Sequence, residues 1–346
     1  MIDKDFCMSS FLALRYVEKS GVDFSYGIKY RHPEVPSDLN KILVNSSSDI
    51  SDAIDTQIIE KCRAYKKIGI LLSGGMDSGI LASYFPGIDA YTFRFLGGDF
   101  NSDELKRAER IAKTNNMILH YVDIDWNTVM GNIRPVMLSK GGPVHSIEPQ
   151  ICQGALQAKA DGVDLMIIGD ASDYIFGGMD KLLSRDWSFD DFIKRYIYVD
   201  PFLVLKSPVS VQYLFDRYRD GDSINFLEII CKLSAQESYG SYDNAFRTAG
   251  LDYFDPYERL KMAEPLDLKR IRNGESKYLI RELFKMRYPG FCVPEKVPMP
   301  RPVDFYFSNW NGPLRPEFRD DIDISQFDGN QRWLLWCLEQ FLNMID

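Results

Sequence analysis

The run Ile68-Gly69-Ile70-Leu71-Leu72-Ser73-Gly74-Gly75-Met76-Asp77-Ser78 narrows the fold more than any other stretch of the chain. Its uncharged, apolar opening predicts a buried strand over 68–72. A serine–glycine turn follows, and a helix is expected to start at once. Glycine tolerates positive φ and leaves no Cβ between the backbone and a neighbour. Amides of the turn and of the first helical residues then converge on one point, with the positive end of the helix dipole behind them. The corner reads as an anion cradle at the end of a strand. The bland alternative is a corner that needs glycine for geometry alone, which leaves the six specific residues of 73–78 unexplained. The spacing is neither G-x-x-x-x-G-K-[ST] nor G-x-G-x-x-G, so the usual phosphate-loop and dinucleotide fingerprints are excluded.

Strand and helix alternate from Lys67 onward. Strands are expected over 68–72, 90–95, 118–124 and 164–168, and helices over 78–85, 102–115 and 149–159. A further helix over 51–65, with Ser51 as its N-cap, precedes them. Such alternation implies a parallel sheet with right-handed crossovers, whose ligands bind beyond the carboxyl ends of the strands. The loops after Leu72 and Ile168 both fall there. Past about residue 184 the strand pattern stops, and aromatic residues at helical spacing take over, as in Phe189, Phe192, Ile193 and Tyr196, then Trp333, Leu334, Trp336, Cys337, Leu338 and Phe341. The fold class expected is α/β, a parallel twisted sheet with helices on both faces, plus a mainly helical C-terminal part. Three regions follow: 1–65 as a lead-in with a packing helix, 66–184 as the α/β domain, and 185–346 as the helical completion.

Composition removes several function classes. The net charge of −9 argues against a broad nucleic-acid face. Apolar runs fall far short of the roughly 20 residues a membrane span needs, and the N-terminus lacks the layout of a signal peptide. A cytoplasmic protein without nucleic-acid or membrane partners is the expectation. Six scattered cysteines read as reduced thiols, and three histidines are too few for a histidine-based metal centre. One stretch runs against the acidic balance: Lys269, Arg270, Arg272, Lys277, Arg281, Lys285 and Arg287 face only Glu275 and Glu282. Its partner is either surface carboxylates or a polyphosphate.

The fourth strand ends in Gly169-Asp170-Ala171-Ser172-Asp173-Tyr174-Ile175-Phe176-Gly177-Gly178. Two carboxylates three residues apart at a strand-to-helix turn can share Mg²⁺ with Asp77, or one can act as a base. Alone, they read as helix caps. The earlier Ser-Gly-Gly-x-Asp-Ser corner resembles the PP-loop of the ATP pyrophosphatase superfamily, whose members cleave ATP between its α and β phosphates. Together the two motifs resemble asparagine synthetase and its relatives, including β-lactam synthetases and lasso-peptide cyclases. There the second motif commonly reads G-E-G-S-D-E-x-F-G-G. Asp170 stands for the first acid, Ala171 for the glycine and Tyr174 for the second glutamate, while Ser172, Asp173, Phe176, Gly177 and Gly178 match. The likeness extends over roughly 66–307. It takes in Lys277-Tyr278-Leu279-Ile280-Arg281 and the spacing of Lys296, Pro302, Asp304, Tyr306 and Phe307, with Phe254 where the family has an arginine.

The resemblance implies an adenine nucleotide α-hydrolase (HUP-like) fold and an ATP- and Mg²⁺-dependent carbon–nitrogen ligase. Such an enzyme adenylates a carboxylate, releases pyrophosphate and AMP, and joins ammonia or an amine to the acyl group. It implies ATP or pyrophosphate binding by Leu72, Ser73, Gly74, Gly75, Asp77, Ser78, Phe93 and Gly169. It gives Mg²⁺ to Asp77 and Asp173, and catalytic roles to Lys277, Asp170 and Lys296. Asp170 is one methylene shorter than the family's glutamate. The alternatives are a PP-loop transferase acting on RNA and a non-catalytic ATP-binding subunit. Ile2 follows Met1, and only about 65 residues precede the synthetase part, fewer than a domain of packed sheets needs. A synthetase without the family's N-terminal glutaminase domain is expected, its nitrogen coming from ammonia, an amine or a separate glutaminase subunit. The acceptor is a small-molecule carboxylate. Tyr239, Tyr242, Tyr253 and Tyr257 suggest an aromatic-lined pocket for it, and His145 is either a site residue or a surface-loop histidine.

Overall fold

Ile70, in the middle of the first expected strand, is fully buried because strands flank it on both sides. The computed structural model describes residues 1–35, 38–100, 102–295 and 299–346. The chain runs α1 (Lys4–Leu14), β1 (Ile42–Val44), α2 (Ser47–Cys62), β2 (Ile68–Leu71), α3 (Met76–Ala82), β3 (Asp89–Phe95), α4 (Ser102–Thr114), β4 (Ile118–Ile124), α5 (Trp126–Lys140), α6 (Glu148–Ala160), β5 (Leu165–Ile167) and α7 (Ser172–Ile175). A longer, mostly helical stretch follows. The main sheet has five strands in the order β4-β3-β2-β5 and then Asp252–Phe254, all parallel. In register, Ile70 lies opposite Ala90 on one side and Ile167 on the other.

Helices cover both faces of this sheet. On one, α3 packs against α4 and against the helix Tyr278–Arg287, where the bare Cα of Gly79 admits Phe284. On the other, α6 lies on β3 and β4 and is backed by α5 and the helix Ala235–Ala249. Gly154 of α6 faces Phe93 and Leu71, so a close helix–sheet approach sets that layer. The helix α1 is buried from Phe6 to Leu14 and packs against the C-terminal helix Gly329–Ile345.

Two expectations are corrected. Strands do not end after residue 168, because Asp252–Phe254 extends the sheet and Leu260–Met262 pairs in parallel with β1. Three residues carry too little periodicity to show as a strand, and only tertiary pairing selects them. The helix expected over 51–65 begins at Ser47, capped by Ser46 rather than Ser51. Ser46 Oγ accepts the Asp49 N–H at 3.1 Å and Asp49 Oδ2 accepts the Ser46 N–H at 3.1 Å, a reciprocal capping box. Cys7, Cys152 and Cys337 are buried free thiols, whereas Cys231 and Cys292 are exposed.

Candidate active site

The corner after β2 is closed by its own serines. Ser73 N–H donates to Ser78 Oγ at 3.2 Å, Gly75 N–H donates to Ser73 Oγ at 3.2 Å, and the two hydroxyls stand 3.0 Å apart. Leu72 N–H donates to the Tyr91 carbonyl at 2.8 Å, which carries the β2–β3 pairing to the edge of the turn. Gly74 has φ +78°, and a Cβ there would lie 2.4 Å from the Glu104 carbonyl oxygen and 2.8 Å from Ala108 N. Its missing side chain thus lets the turn press onto α4. Leu72, Ser73, Gly75, Asp77, Ser78, Phe93 and Gly169 line one cleft at the carboxyl ends of the strands, together with Asp170, Asp173 and Lys277. Gly74 shapes that cleft from behind. Lys296 lies outside the described residues.

Lys277 is the centre of the cleft's charge. It caps the helix Tyr278–Arg287 in the left-handed region, at φ +53°, a conformation a non-glycine residue rarely adopts. Its side chain is 2% exposed, with Nζ 2.7 Å from Asp77 Oδ2 and 2.5 Å from Asp173 Oδ1. Burial pulls its pKa down, but the Asp77 and Asp173 carboxylates outweigh that and hold it above the ordinary lysine value. Ser172 Oγ donates to Asp77 Oδ1 at 2.6 Å, and Tyr257 Oη donates to the Asp77 carbonyl at 3.1 Å. A Cβ at Gly178 would lie 2.4 Å from Asp173 Oδ1 and 2.7 Å from Lys277 Cε, so any larger residue would push these two side chains aside.

Asp170 sits on the same strand end in a different environment. Ser238 Oγ donates to its Oδ2 at 2.6 Å. Asp255 Oδ2 accepts the Asp170 N–H at 2.9 Å and the Ala171 N–H at 2.7 Å, and Asp255 Oδ1 accepts the Tyr257 N–H at 2.9 Å. Burial, together with the charges of Asp255, Asp173 and Glu237, pushes the Asp170 carboxyl up to about 8, against the lowering bond from Ser238. Burial likewise pushes Asp255 up to about 7. A carboxyl poised near neutrality beside a permanently charged lysine–carboxylate group is an acid–base arrangement.

Several site residues gave no signal in the sequence. Arg107 and Glu104 reach the cleft from α4, and burial lifts Glu104 to about 7. Ser238 and Asp255 approach from segments far along the chain. Of the four tyrosines expected around an acceptor, Tyr242 lines the cleft. Tyr257 is fully buried, while Tyr239 and Tyr253 pack against each other. In the basic run, Arg270 pairs with Glu275 and Glu282, Arg272 with Asp186 and Arg287 with Asp55, so these three are answered by carboxylates. Lys277 alone of the run lines the cleft. His145 is buried and is not a surface-loop residue.

A parallel sheet whose central strand ends in this corner, facing two carboxylates and a buried lysine, is a domain of the ATP pyrophosphatase type. Residues 49–246 match the asparagine synthase family, and the chain belongs to it. Over 133 residues it is 29% identical to the putative asparagine synthetase [glutamine-hydrolyzing] 1 of Methanocaldococcus jannaschii, a match covering 36% of this chain and 24% of that protein. The shared part is thus about a quarter of that relative's length. Among solved structures, the NMN synthetase of Francisella tularensis aligns with a TM-score of 0.28 at 11% identity, over 74% of this chain and 99% of that one. The U34-tRNA thiolase NcsA of Methanococcus maripaludis, solved with its [4Fe-4S] cluster, aligns at 0.26 and 11% identity, over 72% and 82%. Likenesses this distant carry no argument about activity. Among the described residues, no helix is long and apolar enough to cross a membrane.

Proposed function

We propose that the protein is an ATP-dependent, AMP-forming carbon–nitrogen ligase that adenylates a carboxylate and then joins ammonia or an amine to the acyl group. The observation that carries this reading is the meeting of Asp77, Asp173 and Lys277 at the mouth of the glycine–serine corner, with Nζ at 2.7 and 2.5 Å from the two carboxylates. In this reading the β and γ phosphates of ATP lie against the hydroxyls and amides of Ser73, Gly75 and Ser78. Asp77 and Asp173 are the residues that would hold Mg²⁺, since carboxylate oxygens suit an ion that keeps its other sites for phosphate and water. When bound, the metal would neutralise phosphate charge.

The acceptor carboxylate attacks the α-phosphorus, the bond between that phosphorus and its bridging oxygen to the β-phosphorus breaks, and pyrophosphate remains in the corner. Lys277 offers its charge already desolvated and in place, so little reorganisation is needed as negative charge shifts. The nitrogen nucleophile then attacks the acyl carbon and the carbon–oxygen bond to AMP breaks. Asp170, with its carboxyl near neutrality, accepts the proton released from nitrogen. Free ammonia, an amine substrate or a separate glutaminase subunit would supply the nitrogen.

The test is a product assay with ATP and a panel of carboxylic acids, combined with ATP–pyrophosphate exchange while ammonia is withheld. AMP and pyrophosphate are expected, and exchange should proceed without a nitrogen donor. ADP and phosphate as products would overturn the reading. Comparing ammonium with glutamine in the complete reaction identifies the nitrogen source.

A further inference from the structure

The paired backbones of β5 and the strand Asp252–Phe254 part at the edge of the cleft. Their last ladder bond runs from Ile168 N–H to the Phe254 carbonyl at 3.0 Å. Beyond it a side chain takes over the backbone's part. The carboxylate of Asp255, a residue 5% exposed, accepts the Asp170 and Ala171 N–H groups on Oδ2 at 2.9 and 2.7 Å. Its Oδ1 accepts the Tyr257 N–H at 2.9 Å. Amides that lose their strand partners at this point are thus gathered by one residue.

Tyr257 carries the connection onward. Its ring is fully buried and meets the Phe176 ring edge to face, with 6.3 Å between centroids. Its Oη donates to the Asp77 carbonyl at 3.1 Å. Gly169 makes room for the ring, since a Cβ there would lie 3.3 Å from Tyr257 Cε2 and 3.4 Å from the Asp77 carbonyl carbon. A path therefore runs from the loop after β5, through Asp255 and Tyr257, to the first turn of α3. Asp170 and Asp173 stand at one end of it and Asp77 at the other. Ser172 Oγ and Lys277 Nζ also join the two loops, but they hold side-chain oxygens of Asp77. The Asp255–Tyr257 path holds main chain on both sides, and supporting bonds of that kind keep a constellation of side chains in place.

We infer that Asp255 is a positioning residue which, with Tyr257, sets the spacing between the main chain that carries Asp77 and the main chain that carries Asp170 and Asp173. Neither side chain is among the described residues that line the cleft, so each acts on a ligand only through the acids it holds. The spacing rests on these contacts, and only its importance for a magnesium nucleotide rests on the ligase reading.

The experiment reads two quantities on the full chain. Hydrogen–deuterium exchange by mass spectrometry follows peptides spanning 73–82 and 168–178. Isothermal titration calorimetry follows α,β-methylene-ATP, once with magnesium and once with EDTA. Tyr257→Phe should weaken binding of the magnesium complex about three- to tenfold, the scale of one neutral hydrogen bond. It should also speed exchange in 73–82 and leave 168–178 unchanged. Asp255→Asn should speed exchange in both peptides. Adding Tyr257→Phe to it should cost less affinity than Tyr257→Phe does in the wild type, because both substitutions break one path. Binding in EDTA should be unchanged in either variant. An equal loss with and without magnesium, additive effects, or a 73–82 peptide indifferent to Tyr257→Phe would overturn the inference. Should Asp255→Asn fail to fold, Tyr257→Phe still decides. Failure of the wild type to bind the magnesium nucleotide would instead count against the ligase reading, while the exchange data would still test the spacing.

Discussion

Lys277 Nζ donates to Asp77 Oδ2 at 2.7 Å across 200 residues of chain. The contact joins the N-cap of one helix to the first turn of another, and it puts the charge of the basic run at the glycine corner. Lys277→Met keeps the length of the side chain and removes its charge. Pyrophosphate exchange should fall by about 10²-fold or more, as for other preorganised cationic groups. The melting temperature should also drop, because Asp77 and Asp173 would face each other uncompensated. Exchange kinetics and thermal denaturation check the two effects.

Gly178→Ala probes the same group without touching any of its charges. A methyl at this position meets Asp173 Oδ1 and Lys277 Cε, both well inside contact distance. The side chains must separate, so exchange activity should fall by about tenfold or more while circular dichroism at room temperature stays unchanged, since a small displacement at a reacting centre is costly.

The proton on Asp170 makes both activity and stability depend on pH. Its carboxyl moves from an ordinary 3.8 to about 8 in the folded chain. The folded state thus keeps a proton that the unfolded state gives up, and stability declines as pH rises from 3.8 to about 8. The amide-forming step should show the opposite trend, rising toward a plateau above about 8 as the base ionises. Ser238→Ala removes the bond that lowers this pKa, so the rising limb should shift to higher pH. A pH–rate profile of wild type and variant reads the shift, and an unshifted limb would remove Asp170 as the base.

Ser46→Ala tests the corrected start of α2, far from the chemistry. Loss of the capping hydroxyl should cost about 1 kcal/mol of stability by urea denaturation. Ser51→Ala should not reproduce that loss, because the cap is at Ser46.

The local pattern made the catalytic half of the fold legible. Residues 68–78 imply a buried strand, a glycine corner and a helix because alternation, burial and glycine geometry act over a few residues. Asp170 and Asp173 were visible for the same reason, as a compact motif behind a continuous apolar strand. Lys277 could be singled out only by resemblance to a family, since one lysine among seven basic residues carries no local mark. Its partners Asp77 and Asp173 appeared when the helix Tyr278–Arg287 packed on α3.

Other parts of the site have no local signature at all. Ser238 comes to Asp170 from 68 residues away, and Asp255 comes from 85. The fifth strand that delivers Asp255 is three residues long and exists because Ile168 N–H finds the Phe254 carbonyl at 3.0 Å. By itself, then, the sequence determined the sheet's central strands, the anion-binding corner and the acids at the strand ends, all consequences of short-range periodicity and backbone sterics. Only the tertiary structure decided which lysine is buried between those acids and which serine and aspartate tune Asp170. Such choices depend on burial and Coulomb energy between groups that chain order keeps far apart.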